Sequence, residues 1–329
     1  MGWPVSPWRQ DIPVFSHRAL GALTAIGSLL VLAGCTASPP AGATRPSPSP
    51  SGAAATAPSP TPPTTSAAGT PVYDHIFLIV MENHSFSQII GNSAAPYING
   101  LAGSGAVGGA YKAVGYPSLP NYLALTGGST FGINSDCTSC WVAALNLADR
   151  VDSSGRTWKA YMEGMPSACY IGSAGSYAQK HNPFVYYDSI RLNAGRCAQV
   201  VPYTSLAADL ASAATTPSLA WITPDGCHDM HDCSVAAGDA WLAAEVPVLL
   251  GSPAFTGQHS LLLIVWDEDD HSSGNQVPLI AVGSRVRAGY FSSTSANHYS
   301  LLRTIEDSWG LAPLALENSS APMSDLFVR

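Results

Sequence analysis

The apolar positions of the chain fall into short blocks, and polar residues crowd at the downstream ends of those blocks. Residues 72–80 (VYDHIFLIV) finish in an unbroken β-branched and aromatic run, which predicts a buried strand. Residues 219–223, 261–266 and 278–282 read as three further short apolar strands. Helical patterns fill the intervals at 121–125, 141–148, 205–213, 234–250 and 298–309. Strands that alternate with helices predict an α/β fold with a mostly parallel sheet covered on both faces. In such sheets ligands gather outside the carboxyl ends of the strands. Three of the strands run straight into polar clusters there, so the chemistry is to be sought at those ends.

The pattern changes twice near the N-terminus. Arg9 and Arg18 precede sixteen uncharged residues, 19–34, that end at Cys35. A spanning helix needs about 20 apolar residues, and this length suits the apolar core of a signal peptide. Leu32-Ala33-Gly34-Cys35 resembles a bacterial lipobox, in which Cys35 becomes the lipidated first residue; an ordinary signal peptide is the alternative. Residues 36–70 hold nine Pro and one charge, Arg45, a composition that reads as an extended stalk. The expected organisation is a signal peptide at 1–34, a lipidated Cys and linker at 35–70, and a catalytic domain at 71–329. The expected location is exported, either anchored on the outer face of the cell membrane or secreted.

Composition narrows the function. The 329 residues carry 14 Lys+Arg against 22 Asp+Glu, and only 11% are charged, which excludes a nucleic-acid binder built on clustered cations. Residues 71–329 hold 21 acids and 11 bases, and eight of those acids lie in polar clusters just beyond predicted strands. Setting Cys35 aside leaves six cysteines, and an even count in an exported chain predicts disulfides. Local pairs 137–140, 169–197 and 227–233 are expected. Zinc at Cys137-x-x-Cys140 is disfavoured, because no second CxxC or His pair accompanies it.

Four clusters carry the candidate chemistry. Met81-Glu82-Asn83-His84-Ser85-Phe86 places a carboxylate and an amide at a strand end, which suits a hard divalent cation. In Tyr116-Pro117-Ser118-Leu119-Pro120-Asn121-Tyr122, Pro120 suits a first helical turn and puts Ser118 at the helix start. There Ser118 either caps the helix or serves as a nucleophile, with Asn121 one turn on as an amide donor to a phosphoryl oxygen. Residues 224–233 pack Asp225, His228, Asp229, His231 and Asp232 around Cys227 and Cys233, a density that points to metal or phosphate binding. Asp267-Glu268-Asp269-Asp270 follow a strand, and four such charges need a cation. Asp267 and Glu268 are the expected ligands, with Asp269 and Asp270 solvated. His298, at the start of the last helix, is a fifth contributor. His17, His75, His181 and His259 show no partner pattern and read as structural or surface residues.

Taken together, MENHSF, PSLPNY, HDMHDC and WDEDD resemble the bacterial phosphoesterase family of acid phosphatases and phospholipases C, within the alkaline-phosphatase superfamily. The similarity covers essentially residues 72–329, and the short secreted acid phosphatases of phosphatidylinositol-3-phosphatase type are the nearest in pattern. The resemblance implies an α/β/α sandwich with a divalent cation and a nucleophilic hydroxyl. Glu82, Asn83, Asp267 and Glu268 match the family's metal ligands, with Ser118 as nucleophile on the same metal. Asn121 matches its phosphate-contacting amide, and His231 and His298 match histidines lining the phosphate pocket. His228, Asp229 and Asp232 are secondary candidates for the metal. The cation is Ca, Mg or Mn by its oxygen ligands, or Zn or Fe if histidine joins.

Two departures stand out. Ser87 replaces an Asp of larger members, and no His lies between His84 and His181 to supply one of their pocket histidines. The implied reaction is hydrolysis of a phosphomonoester, including a phosphoinositide, through a phosphoserine. With no Lys or Arg in any motif, the cation is expected to carry most of the charge neutralisation. A phospholipase C or phosphodiesterase on the same core, and a non-catalytic metal- or phosphate-binding lipoprotein, are the alternatives.

Overall fold

The computed structural model describes residues 69–314 and 320–328. The expected signal peptide, Cys35 and nearly all of the linker lie outside the described residues. No described helix is long and apolar enough to cross a membrane.

Among the described residues ten strands are formed: β1 His75–Met81, β2 Ala106–Gly108, β3 Tyr111–Lys112, β4 Trp158–Met162, β5 Val200–Pro202, β6 Leu219–Thr223, β7 Ser260–Trp266, β8 Leu279–Gly283, β9 Tyr290–Ser292 and β10 Ala296–Asn297. Eight of them make one sheet in the order β5-β4-β6-β1-β7-β8-β2-β9. In it β8 pairs antiparallel with both its neighbours, β7 and β2. Strands β1, β6 and β7 are buried along their whole length. That is why they read as continuous apolar runs rather than alternating ones: a central parallel strand is covered on both faces. β3 and β10 form a separate two-stranded ribbon, with Asn297 opposite Lys112.

Register levels the strand ends. Met81 of β1 pairs with Trp266 of β7, and Ile79 with Ile222 of β6, while Met162 of β4 pairs with Thr223. The residues that follow these four strands therefore emerge side by side on one edge of the sheet. This edge is where the polar clusters stand.

The longer helices are α1 Pro96–Ser104, α2 Ser118–Gly127, α3 Leu147–Ser153, α4 Val235–Leu250 and α5 His298–Trp309. α2 is buried at all ten positions, and Gly128 ends it at φ 67°, its N–H closing on the Ala124 carbonyl. α5 starts at Asn297, whose side chain accepts the Ser300 N–H, and stops at Gly310, φ 63°.

The mostly parallel α/β expectation holds, with three local corrections. The helix expected at 141–148 begins only at Leu147. Asn146 and Asp149 exchange backbone-to-side-chain bonds as a capping box that fixes the start, and Val142 instead bridges to Tyr187. The helix expected at 205–213 is one turn, Leu206–Asp209, because the Thr215 and Thr216 hydroxyls capture the Asp209 and Ser212 carbonyls. The helix expected at 121–125 starts three residues earlier, at Ser118. The three expected disulfides, Cys137–Cys140, Cys169–Cys197 and Cys227–Cys233, are all present.

One buried acid lies away from the sheet edge. Glu306 on α5 accepts the Leu314 N–H at 2.8 Å, and Arg303 is 3.9 Å away. Burial pushes its carboxyl up to about 7 despite Arg303 and Arg150. The folded pKa is thus above that of the unfolded chain, so the protonated form favours folding and stability falls as pH rises between the two values. Glu306→Gln keeps the acceptor and removes the charge. It is expected to raise Tm near pH 8, by about 2 kcal/mol of stability, and to change it little near pH 5. Thermal melts at both pH values check this, and equal shifts would contradict it.

Candidate active site

The sheet edge assembles the site from four adjacent strand ends. Glu82 follows β1, Asp267 follows β7, Glu163 follows β4, and the loop of residues 224–233 follows β6. Two backbone bonds tie these ends together: Asp267 N–H donates to the Met81 carbonyl at 2.9 Å, one step beyond the β1–β7 ladder, and Glu82 N–H donates to the carbonyl of Asp229, in the loop after β6, at 2.9 Å. Glu82, Asp229 and Asp267 are thereby held as neighbours, each of them wholly buried.

α2 closes on this group from the side. Ser118 is its first residue, with Pro117 in the cap position, and its hydroxyl does not cap the helix. Ser118 Oγ instead donates to Glu82 Oε2 at 3.2 Å, and Tyr122 OH donates to Glu82 Oε1 at 2.6 Å. Positions 118 and 122 are four apart, hence on one helix face. The capping role open to Ser118 on sequence grounds is excluded by this geometry.

His181 completes the centre, although its lack of a partner pattern had marked it as a structural or surface residue. It is buried, with Nε2 3.2 Å from Glu82 Oε1 and Nδ1 3.2 Å from Asp229 Oδ2, and its ring stacks on Tyr122 at 5.5 Å. It stands beside Glu82 in a site that otherwise lacked the histidine missing between His84 and His181. Lys180 comes with it: Nζ donates to Asp136 Oδ2 at 3.0 Å and to His231 Nε2 at 3.2 Å. Lys180 lies in none of the four motifs and brings a positive side chain to the edge of the site that they did not reveal. Both residues sit in the short 3-10 turn Gln179–His181, inside the polar stretch 179–182 but well away from the predicted strand ends. The only local signal was the pair of basic residues before Asn182-Pro183.

Electrostatics make the group unstable without a positive partner. Burial, then Asp267 and Asp229, push the Glu82 carboxyl well above the usual range. Burial raises Asp229 likewise, and it raises Asp267 to about 6 and Glu268, next to Asp267, to about 9. Burial, with Lys180 and His231 nearby, holds His181 well below the ordinary imidazole range, so its ring is neutral, as a metal ligand must be. Asp267 Oδ2 is buried without a hydrogen-bond partner, and Asp229 Oδ2 and His181 Nε2, each 3.2 Å from a group of the centre, make no aligned hydrogen bond either. Such atoms cost stability unless something binds them. Glu82, His181 and His231 also place ligand atoms within 4.8 Å of one another. The donor set of carboxylate oxygens and neutral imidazole fits a divalent cation.

The remaining candidates divide. Asn83 meets Asp267 through its backbone, N–H to Oδ1 at 3.1 Å, at φ 54°. Glu268 turns from Asp267 toward α2, where Asn121 Nδ2 donates to its Oε2 at 3.1 Å. Asn121 also donates to the Gly115 and Pro117 carbonyls and accepts from Val114 and Gly115 N–H, so it fixes the loop before Ser118. His231 is half-buried, with Nδ1 donating to Asp232 at 2.7 Å and Nε2 turned to Lys180.

Several expectations need correction. His298 does not line the phosphate pocket: Nε2 donates to the Asp267 carbonyl at 2.6 Å and Nδ1 accepts from Tyr111 OH at 2.8 Å, so both nitrogens are spent behind Asp267. The Leu119 N–H at the start of α2 is taken by Asp136 Oδ1 at 3.0 Å. His228 faces away to Glu163 Oε2 at 2.9 Å, and Asp232 is exposed beside His231. Asp269 is buried rather than solvated, accepting N–H bonds from His271, Ser273 and Asn275 and the Tyr116 hydroxyl, while Asp270 is exposed as expected.

The mostly parallel sheet with its helices is a fold shared with solved structures of low sequence identity. A protein of the alkaline phosphatase superfamily from Vibrio parahaemolyticus superposes with a TM-score of 0.51 at 14% identity, covering 78% of this chain and 74% of its own. Human ectonucleotide pyrophosphatase/phosphodiesterase 5 gives 0.53 at 10%, covering 78% of this chain and 100% of its own. Within that fold the chain belongs to the Phosphoesterase family, whose family model matches residues 92–312. It is 36% identical to a phosphatidylinositol-3-phosphatase of Mycobacterium tuberculosis over 264 residues, 80% of this chain and 85% of that one. An acid phosphatase of Aspergillus fumigatus is 30% identical over 265 residues, 77% of this chain, but the match spans only 58% of the fungal protein. The protein is a hydrolase of phosphoric ester bonds.

A cation held by these carboxylates would stabilise the fold. Chelator treatment is expected to lower Tm by several degrees, and adding back Mn, Mg, Ca or Zn to restore it. Asp267→Asn is expected to lose that response and, in chelator, to melt above the wild type, because one like charge is gone. Differential scanning fluorimetry reads both, and a wild-type Tm indifferent to chelator would contradict the cation.

Proposed function

We propose that the protein is an exported, divalent-metal-dependent phosphomonoesterase that acts through a phosphoserine on Ser118. One observation carries this reading: a buried serine hydroxyl at a helix start that does no capping work and points 3.2 Å to a buried carboxylate of the cation-seeking cluster. A serine in the interior normally spends its hydroxyl on the backbone, and this one is kept for a reaction.

Glu82, Asp267, Asp229 and His181 hold the metal in this proposal, with Asn83 and Glu268 flanking. When bound, the metal supplies the positive charge that favours an ionised serine and a phosphoryl group beside it. Ser118 surrenders its proton along the existing bond toward Glu82 Oε2 and attacks phosphorus in line, so that the Oγ–P bond forms as the P–O bond to the departing alcohol breaks. Tyr122 OH keeps Glu82 oriented, and His298 fixes Asp267 through its carbonyl. Asn121 holds the loop that presents Ser118. His231, with Nδ1 anchored on Asp232 and Nε2 beside Lys180, moves the protons of the leaving group and of the water that clears the intermediate once Nε2 gives up its lysine bond. Residues 71–329 form the catalytic domain, and residues 1–70 provide export, the Cys35 lipid anchor and the stalk.

The substrate class in this reading is a phosphate monoester with a phosphoinositide among its forms, supported by the name of the mycobacterial relative that the chain matches over most of both lengths. Ser118→Ala is expected to cut turnover of an aryl phosphate by at least about 10⁴-fold, the scale of losing a nucleophile, with Tm unchanged. Phosphatidylinositol 3-phosphate is expected to release phosphate in the wild type and not in the variant. Turnover retained by Ser118→Ala would remove the mechanism.

A further inference from the structure

We propose that Lys180 is a catalytic residue that contacts a non-bridging oxygen of the transferring phosphoryl group, and that Asp136 is the positioning residue that aims it. The inference rests on the phosphomonoesterase reading and adds a protein-borne cation to it.

Charge is the first reason. Glu82, Asp229, Asp267 and Glu268 bring four carboxyl groups to one place, and a phosphomonoester arrives as a dianion. With even two of the carboxyls ionised beside one divalent cation, the arriving dianion leaves the sum negative, so a second positive group would stabilise the phosphoryl charge as it develops. Among the described residues, no Arg and no other Lys bonds to a side chain of the site, taken as these four acids with His181 and His231; Lys180 Nζ does, at His231 Nε2 beside the acids.

Geometry is the second. An ammonium has three N–H donors. Two are assigned, to Asp136 Oδ2 at 3.0 Å and to His231 Nε2 at 3.2 Å, which leaves one for substrate. The Lys180 side chain is 23% exposed, so it is partly open to a ligand. Its placement is tied to the nucleophile through a single carboxylate: Asp136 Oδ1 takes the Leu119 N–H, next in sequence to Ser118, while Oδ2 takes the lysine. Gln179 Nε2 fixes the same turn to the Thr138 carbonyl, between the cysteines of the Cys137–Cys140 disulfide. A lysine that served only to pair Asp136 would not need a histidine of the site on its other donor.

The test uses the metal-loaded protein. Lys180→Met is expected to lower kcat/KM for an aryl phosphate about 100-fold, the cost of one charge-stabilising donor, with kcat reduced and KM raised. Inhibition by inorganic phosphate is expected to weaken at least tenfold. Lys180→Arg is expected to recover most of both, and Tm to stay within a few degrees. Independently of any variant, saturating inorganic phosphate is expected to slow acetic-anhydride labelling of Lys180, but not of Lys112 or Lys159, the other two lysines of the chain. A Lys180→Met enzyme within about threefold of wild type overturns the proposal, and so does labelling of Lys180 unaffected by phosphate. If Lys180→Met does not fold, the labelling decides alone. A wild type with no phosphomonoesterase activity would instead remove the reading on which the proposal rests, and the labelling would still report whether phosphate meets Lys180.

Discussion

Burial of several carboxylates at the ends of adjacent strands is the constraint on which the rest of this structure turns. Parallel pairing of β1 with β7 and β6 is level, so the residues after these strands have no choice but to be neighbours. The side chains that occupy those places are acids with no access to water. Like charges in such a setting either take up protons or gather a cation. The orphaned oxygens of Asp229 and Asp267, together with a neutral imidazole, favour the cation.

Much of the surrounding structure serves to keep that arrangement in place. His298 and Tyr111 lock the Asp267 backbone from behind, and they meet because the ribbon of β3 and β10 sets Asn297 opposite Lys112. Asp229 is fixed by the His231 N–H on one oxygen and its own carbonyl on Glu82. The neighbouring group of Glu163, Asp225 and His228 differs in character. Its members bond to one another and to Trp241 and Ser176, so it braces the loop after β6 rather than seeking a ligand. One sequence cluster thus serves two ends: Asp229 and His231 face the site, and Asp225 and His228 hold the loop that carries them.

The sequence made β1, β6, β7 and β8 legible because strands deep in the sheet are written as unbroken apolar runs, whereas β2, β4, β5 and β9 of the same sheet, shorter or mixed in pattern, were not predicted. It made Glu82, Ser118, Asp229 and Asp267 legible for a related reason: each sits beyond a strand end or at a helix start, where a polar residue interrupts the pattern. His181 and Lys180 were not legible. They reach the site from a 3-10 turn joined to no strand, and their partners Glu82, Asp136 and His231 lie far away along the chain. His298 was found but its task was misread, since only the structure shows both ring nitrogens engaged. Asp269 was misjudged because adjacency in sequence does not say which of two acids turns inward; the loop to Asn275 wraps its N–H groups around Asp269 and leaves Asp270 outside. The acid excess of the chain is, in large part, an excess of buried site carboxylates.

The central claim is that these carboxylates hold a cation beside the Ser118 hydroxyl. Anomalous X-ray scattering from crystals grown with Mn²⁺ tests it most directly. The account predicts a peak about 2.0–2.6 Å from carboxylate oxygens of both Glu82 and Asp267, on the side facing Ser118. An active enzyme whose crystals show no scatterer at that place would contradict it.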